Sequence, residues 1–236
     1  MSKPLSGHNL NEDSRERHKE PYRNNLNCTG DSETAPKRRI GLLGGAFNPP
    51  HSGHLRLAAL AQEQLALDEL RFVPTAGSPY KPAPAGDAAL RLGQLEAALG
   101  VMGGSCRIDT IELDRGGISY TVDTLEALTL REPDCAWIWI MGSDQVEAFG
   151  SWRNGMRILE LASLAVAPRP GFGCSVPESL TGCQREAWSG ATGELIWLPS
   201  TELDISSSSL RAELAIDRVP ESATIQVPVI IDRKNK

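Results

Sequence analysis

Hydrophobic positions in this chain follow two alternating rhythms. Short apolar blocks bounded by glycine, proline or charge predict strands over residues 39–44, 70–74, 106–113, 136–142, 163–168 and 195–198. Between the blocks, apolar residues recur at helical spacing. They predict helices over 53–66, 86–100, 121–131, 144–149, 153–161 and 207–216. In the first helix the repeat is carried by Leu55, Leu57, Ala58, Ala61 and Leu65. Residues 171–190 are rich in turn formers and predict a loop with one helical stretch. Pro228 opens a short predicted helix over 229–235 in an otherwise β-branched tail.

Strands alternating with helices predict an α/β fold: a doubly wound, Rossmann-like, mostly parallel sheet with helices on both faces. Ligands in such sheets sit beyond the strand C-termini, where the strand order reverses. In the order 3-2-1-4-5 the first and fourth strands flank that crevice. The loop after the first strand should then face the loop after the fourth, MGSD at residues 141–144.

A chain of 236 residues suits one α/β domain, here expected over 38–236. Residues 1–37 are rich in Asn, Glu, Arg, Lys and Ser and offer little to bury, which predicts a disordered extension. A formal net charge of −6 argues against a nucleic-acid-coating surface. No apolar run approaches the roughly 20 residues that span a membrane. The first residues lack the apolar stretch of a secretory signal. Five scattered cysteines without a C-x-x-C spacing fit unpaired thiols in a reducing cytoplasm.

The chemistry concentrates in residues 40–57, IGLLGGAFNPPHSGHLRL. A predicted strand runs into Gly44 and Gly45, and a Pro-rich turn leads to His51 and His54 at a helix start. A helix N-terminus presents unpaired N–H groups and partial positive charge, so it suits an anion. Gly44, Gly45 and Gly53 leave the backbone open to a ligand, and two imidazoles add donors or charge. These features point to a phosphate site. Two other readings stand beside it, an ordinary loop with surface histidines and an H-x-x-H metal pair. The metal reading lacks Cys or carboxylate partners at suggestive spacing. There is no GK[ST] and no G-x-G-x-x-G, so neither a P-loop nor a dinucleotide fingerprint is present.

Further candidates lie downstream. Lys81, in the loop VPTAGSPYKP, is a cation that can reach phosphate. Tyr120 and Thr121 follow a glycine pair at a predicted helix start, where a hydroxyl is an ordinary cap. Gly142 and Asp144 stand after the fourth strand, and a carboxylate there can cap a helix or accept from ribose hydroxyls. Trp152 can complete a core or stack on a flat heteroaromatic ring. In DISSSSLR, Ser206 and Ser207 precede helical spacing at Leu210 and Leu214. Arg211 adds a planar, permanently charged fork for phosphate oxygens.

GGAFNPPHSGH resembles the (H/T)-x-G-H motif of nucleotidyltransferases, in the form found in bacterial nicotinate-nucleotide adenylyltransferases. DISSSSLR is similar to the I-S-S-T-x-(I/L)-R motif of the same family, and the resemblance spans roughly residues 39–220. It departs at Asn48, where the family often has Asp, at Tyr80, where it has His, and at Arg153, where it has an aromatic residue. The resemblance implies transfer of the adenylyl group of ATP to nicotinate mononucleotide, giving deamido-NAD and pyrophosphate. It implies His51 and His54 at the ATP phosphates, with His54 nearest the reacting one, and Gly44, Gly45, Phe47, Gly53 and Ser206 around ATP. Ser207 and Arg211 would hold the β and γ phosphates, and Lys81, Tyr120, Thr121, Gly142, Asp144 and Trp152 would line the mononucleotide. Mg²⁺ would ride on the triphosphate with few protein ligands. Within the same superfamily, NMN and phosphopantetheine are alternative acceptors, and a nucleotide-binding regulator without turnover is an alternative of another class.

Overall fold

The computed structural model describes residues 38–79, 87–102 and 106–200. Strands β1 (Arg38–Gly45), β2 (Glu69–Pro74), β3 (Cys106–Ile108), β4 (Cys135–Gly142), β5 (Ala162–Ala167), β6 (Gln184–Arg185) and β7 (Leu195–Trp197) form one sheet. Its order is β3-β2-β1-β4-β5-β7-β6, and every pairing is parallel. The helices are α1 (Ser52–Gln64), α2 (Ala88–Met102), α3 (Ile111–Arg115), α4 (Thr121–Arg131), α5 (Ser143–Val146), α6 (Gly155–Leu161) and α7 (Glu178–Thr181). The expected order of the first five strands is therefore the observed one. No helix among the described residues is long and apolar enough to cross a membrane.

β4 shows why the sheet is covered on both sides. Its sequence CAWIWIMG is apolar at every position but the last, as a strand buried on both faces requires. Trp137, Trp139 and Met141 join one core with Val122, Leu125 and Leu128 of α4 and Ile158, Leu159 and Leu161 of α6. Ala136, Ile138 and Ile140 join a second core with Ala58 and Ala61 of α1 and Leu95 of α2. The two-residue period of the strand deals its side chains alternately to the two cores.

Three sequence expectations are corrected. The strand expected over 106–113 ends at Ile108, and residues 111–115 are helical. The side chain of Asp109 accepts from Ile111 N–H at 3.2 Å, and Thr110 Oγ1 donates to Asp114 Oδ2 at 2.8 Å. These local bonds offer the backbone a helical turn in place of the ladder. The helix expected over 144–149 is two pieces, α5 and a 3-10 turn at Phe149–Ser151. In 171–190 the expected helical stretch is α7, but Gln184 and Arg185 also pair with Leu195 and Ile196 as an edge strand. The extension over 1–37 and the helices expected over 207–216 and 229–235 lie outside the described residues.

One polar cluster interrupts the apolar interior. Arg71, in the middle of β2, is 2% exposed. Its guanidinium meets Glu132 at 2.6 and 2.7 Å, Glu69 at 2.5 Å and Asp109 at 3.3 Å. Arg38 and Arg107 also pair with Glu69, and Arg131 pairs with Asp109. The cluster ties the C-terminus of α4 to the β2–β3 side of the sheet.

Candidate active site

The chain leaves β1 beside its two sheet neighbours, β2 and β4, which bring their own C-terminal loops to the same place. A Cβ on Gly44 would lie 2.6 Å from Cζ2 of Trp139, and one on Gly45 would lie 3.1 Å from Cζ of Phe47. These glycines are demanded first by packing: the protein's own rings fill the space a side chain would need. Phe47 follows with φ +46, a left-handed conformation that costs a non-glycine residue about 1–2 kcal/mol. Burial of its ring holds it there, and that ring meets Phe72 at 5.5 Å and the edge of His54 at 5.0 Å. Phe47 thus acts on the site as a prop for His54.

His51 is the N-cap of α1 in extended conformation, and Gly53 and His54 lie in the first turn. The two imidazoles stack, with centroids 3.7 Å apart and planes at 30°. His51 N–H donates to His54 Nδ1 at 3.3 Å. A nitrogen that accepts carries no proton, so neutral His54 holds its proton on Nε2 and offers an N–H donor there. Burial, then the charge of Arg169, lowers the His51 pKa from 6.5 to about 4. Burial, then His51, then Arg169 hold His54 well below its ordinary value. Of the two options the sequence left, donors or positive charge, the free protein has donors.

This neutrality has a pH signature. kcat/KM for the nucleotide reports the free enzyme, so it should not fall as pH rises through 6.5, the ordinary histidine value. A fall with an apparent pKa near 6.5 in a profile taken from about pH 6 to 8.5 would mean that an imidazolium is required. Stability carries the complementary sign. Between about 4 and 6.5 native His51 binds fewer protons than the unfolded chain, so stability drops as pH falls through that window.

The positive charge comes instead from Arg169, two residues beyond β5, which the sequence reading did not single out. Its backbone N–H donates to Ser143 Oγ at 3.0 Å, and its Nε lies 3.3 Å from Asp144 Oδ1. Gly142 and Asp144 open α5 at the end of β4. Arg169 is thus held by the loop after β4, and its charge acts on both imidazoles of the histidine loop. Arg91 of α2 is a second residue without an obvious sequence signal. It is 3% exposed and donates to the carbonyls of Ala46 at 2.7 Å and Thr75 at 2.9 Å, pinning the loops after β1 and β2 together. Burial lowers its pKa against the opposing charge of Asp87.

A second group of candidates forms the neighbouring wall. Tyr120 is the N-cap of α4 and Thr121 its first residue. Ser119 N–H donates to Gly77 O at 2.9 Å, joining this loop to the one after β2. Trp152 leaves the 3-10 turn with its ring 5.5 Å from Phe149, and both Trp152 and Tyr120 pack against the same core. Lys81, Ser206, Ser207 and Arg211 lie outside the described residues. Among the described residues no group of three His, Cys, Asp or Glu side chains is placed to hold a metal ion.

The Cytidylyltransferase-like family model matches residues 42–213. A probable nicotinate-nucleotide adenylyltransferase of Hydrogenovibrio crunogenus is 38% identical over 181 residues, covering 75% of this chain and 86% of the relative. The chain belongs to the nicotinate-nucleotide adenylyltransferase family of cytidylyltransferase-like proteins. Another relative, from Bordetella avium, carries the same name and is 40% identical over 179 residues, 75% of this chain and 86% of its own. The fold agrees with the family. A solved Plasmodium falciparum nicotinic acid mononucleotide adenylyltransferase complexed with NaAD superposes with a TM-score of 0.60 at 18% identity, over 74% of this chain and 83% of that one.

Proposed function

We infer that this chain transfers the adenylyl group of ATP to nicotinate mononucleotide, giving deamido-NAD and pyrophosphate. The observation that carries the inference is the stacked histidine pair at the head of α1, beyond the central strand, in a chain 38% identical to a relative of that name. The acceptor's phosphate has a second pKa near 6 and is largely ionised at neutral pH. It can attack the α-phosphorus directly while pyrophosphate leaves, so no general base is needed. What remains is positioning and stabilisation of developing charge.

Each group has a role on this reading. His54 Nε2–H donates to an oxygen of the reacting phosphate, and His51 completes the donor surface at the helix N-terminus. Arg169 supplies permanent charge beside them, while Asp144 orients Arg169 and faces the ribose. Tyr120, Thr121 and Trp152 take the pyridine end. Ser206, Ser207, Arg211 and Lys81 are assigned to the phosphates from the family motifs. The nucleotide enters as its Mg²⁺ complex, with the ion carried by the phosphates. A reducing, cytoplasmic setting suits the free thiols of Cys106, Cys135 and Cys174.

The test is pyrophosphate release from ATP with three acceptors: nicotinate mononucleotide, NMN and phosphopantetheine. The expected result is turnover with the first at the highest kcat/KM. Binding of ATP without release under any acceptor would mark a regulator, and a higher kcat/KM for another acceptor would reassign the substrate.

A further inference from the structure

We propose that Arg153 is a specificity-determining residue that reads the negative charge on the acceptor's pyridine ring, separating nicotinate mononucleotide from its amide. The inference rests on the acceptor assigned above. The Arg153 guanidinium lies over the Tyr120 ring, 4.6 Å from its centroid. Its NH1 is 3.4 Å from Asp123 Oδ2, and the side chain is half-exposed. Arg153 also directly follows Trp152. The cation therefore spans the two loops that carry the aromatic residues of the pocket wall, one leaving the 3-10 turn and one opening α4. A pyridine ring held at that wall has its substituent within reach of one long, charged side chain. Close by, Ser119 Oγ is buried and has no hydrogen-bond partner among the described residues.

Aromatic rings cannot make this choice, because a nicotinate and a nicotinamide present the same flat face. A guanidinium can. It attracts a carboxylate through charge and two parallel donors, whereas a carboxamide offers one acceptor and turns an NH₂ toward the same donors. Asp123 acts in the other direction. Its carboxylate competes for Arg153 and offsets part of the charge that the acceptor meets. The two residues should therefore move selectivity with opposite signs, which a purely packing role for either would not do.

The experiment measures kcat/KM for nicotinate mononucleotide and for NMN, at saturating ATP, in the full chain and in Arg153→Ala, Arg153→Lys and Asp123→Asn. Arg153→Ala should lower the nicotinate-to-amide ratio about tenfold, the scale of a hydrogen bond to a charged group. The change should enter through KM for nicotinate mononucleotide. Arg153→Lys should keep only the part of the ratio that charge supplies, and Asp123→Asn should raise it by roughly two- to threefold, as befits a half-exposed pair. If Arg153→Ala lowers both acceptors alike, the inference falls while nicotinate mononucleotide stands as substrate. A native chain that prefers NMN, or uses neither mononucleotide, overturns the assigned acceptor and the inference together.

Discussion

His54→Ala should lower kcat by about 10²-fold or more, the loss expected when one donor to developing charge is removed. The expectation follows from how the ring is fixed. His51 N–H binds its Nδ1, His51 stacks on one face, and the Phe47 ring abuts it at 71°. The remaining nitrogen, Nε2, is left as a preset donor that needs no reorganisation during transfer. Alanine removes that donor and leaves the helix cap to the backbone bonds from His54 N–H and Leu55 N–H to His51 O, at 2.9 and 3.3 Å. The fold should therefore survive, with a small change in Tm. His54→Gln, whose amide nitrogen can approximate Nε2, should recover part of the rate. Steady-state kinetics beside thermal melts separate the two effects. Turnover of the alanine variant near that of the native chain would remove His54 from the reaction.

Much of this site is legible in the sequence because its parts are local. The run from Ile40 to Gly45, the turn and the helical spacing after His54 lie within one supersecondary unit. Gly142 and Asp144 are readable because a parallel sheet with this strand order must bring the ends of β1 and β4 together. Arg169 is not legible in that way. An arginine after a strand looks like a solvated end, and its meaning depends on β5 lying beside β4, which puts it against Ser143 and Asp144. Position alone could have flagged it, since it is a cation just past the C-terminal end of a central strand. Arg91 is hidden differently. It sits in a helix of low polarity as one charge among apolar neighbours, and only the fold shows it turned inward onto the carbonyls of Ala46 and Thr75. The third strand is expected to run too far because the apolar residues at 106 and 108, and again at 111 and 113, keep the two-residue strand period, and only the three-residue step from 108 to 111 marks the break. The change falls at Asp109, whose N–H makes a last bond to Phe72 O of β2 at 2.9 Å while its carboxylate joins the arginine cluster.

Arg71→Met should destabilise the protein by about 3 kcal/mol, the low end of the 3–5 kcal/mol range for breaking a buried ion pair. The low end applies because the abandoned carboxylates keep some partners. Glu69 retains Arg38 and Arg107, Asp109 retains Arg131, and Glu132 retains Arg131 at 3.2 Å and Arg38 at 3.7 Å. What disappears is the central guanidinium, which makes a bidentate bond to Glu132 while touching Glu69 and Asp109. Burial opposes the charge on Arg71, but its bonds to Glu132 and Glu69 outweigh that and hold its pKa above the ordinary value. In return, the hydrogen bond from Arg71 is the main cause of a Glu132 pKa lowered from 4.5 to about 2. Since the folded value is the depressed one, this stabilisation is complete above 4.5 and is lost as pH falls toward 2. The variant should therefore lower the urea midpoint at pH 7 with an unchanged m-value and flatten the loss of stability between about pH 4.5 and 2. Adding Glu132→Gln should return part of the loss, because a carboxylate that has lost its bidentate partner is then removed from the cluster. A change below about 1 kcal/mol, within the range of an exposed pair, would show that Arg71 is screened far more than its burial implies.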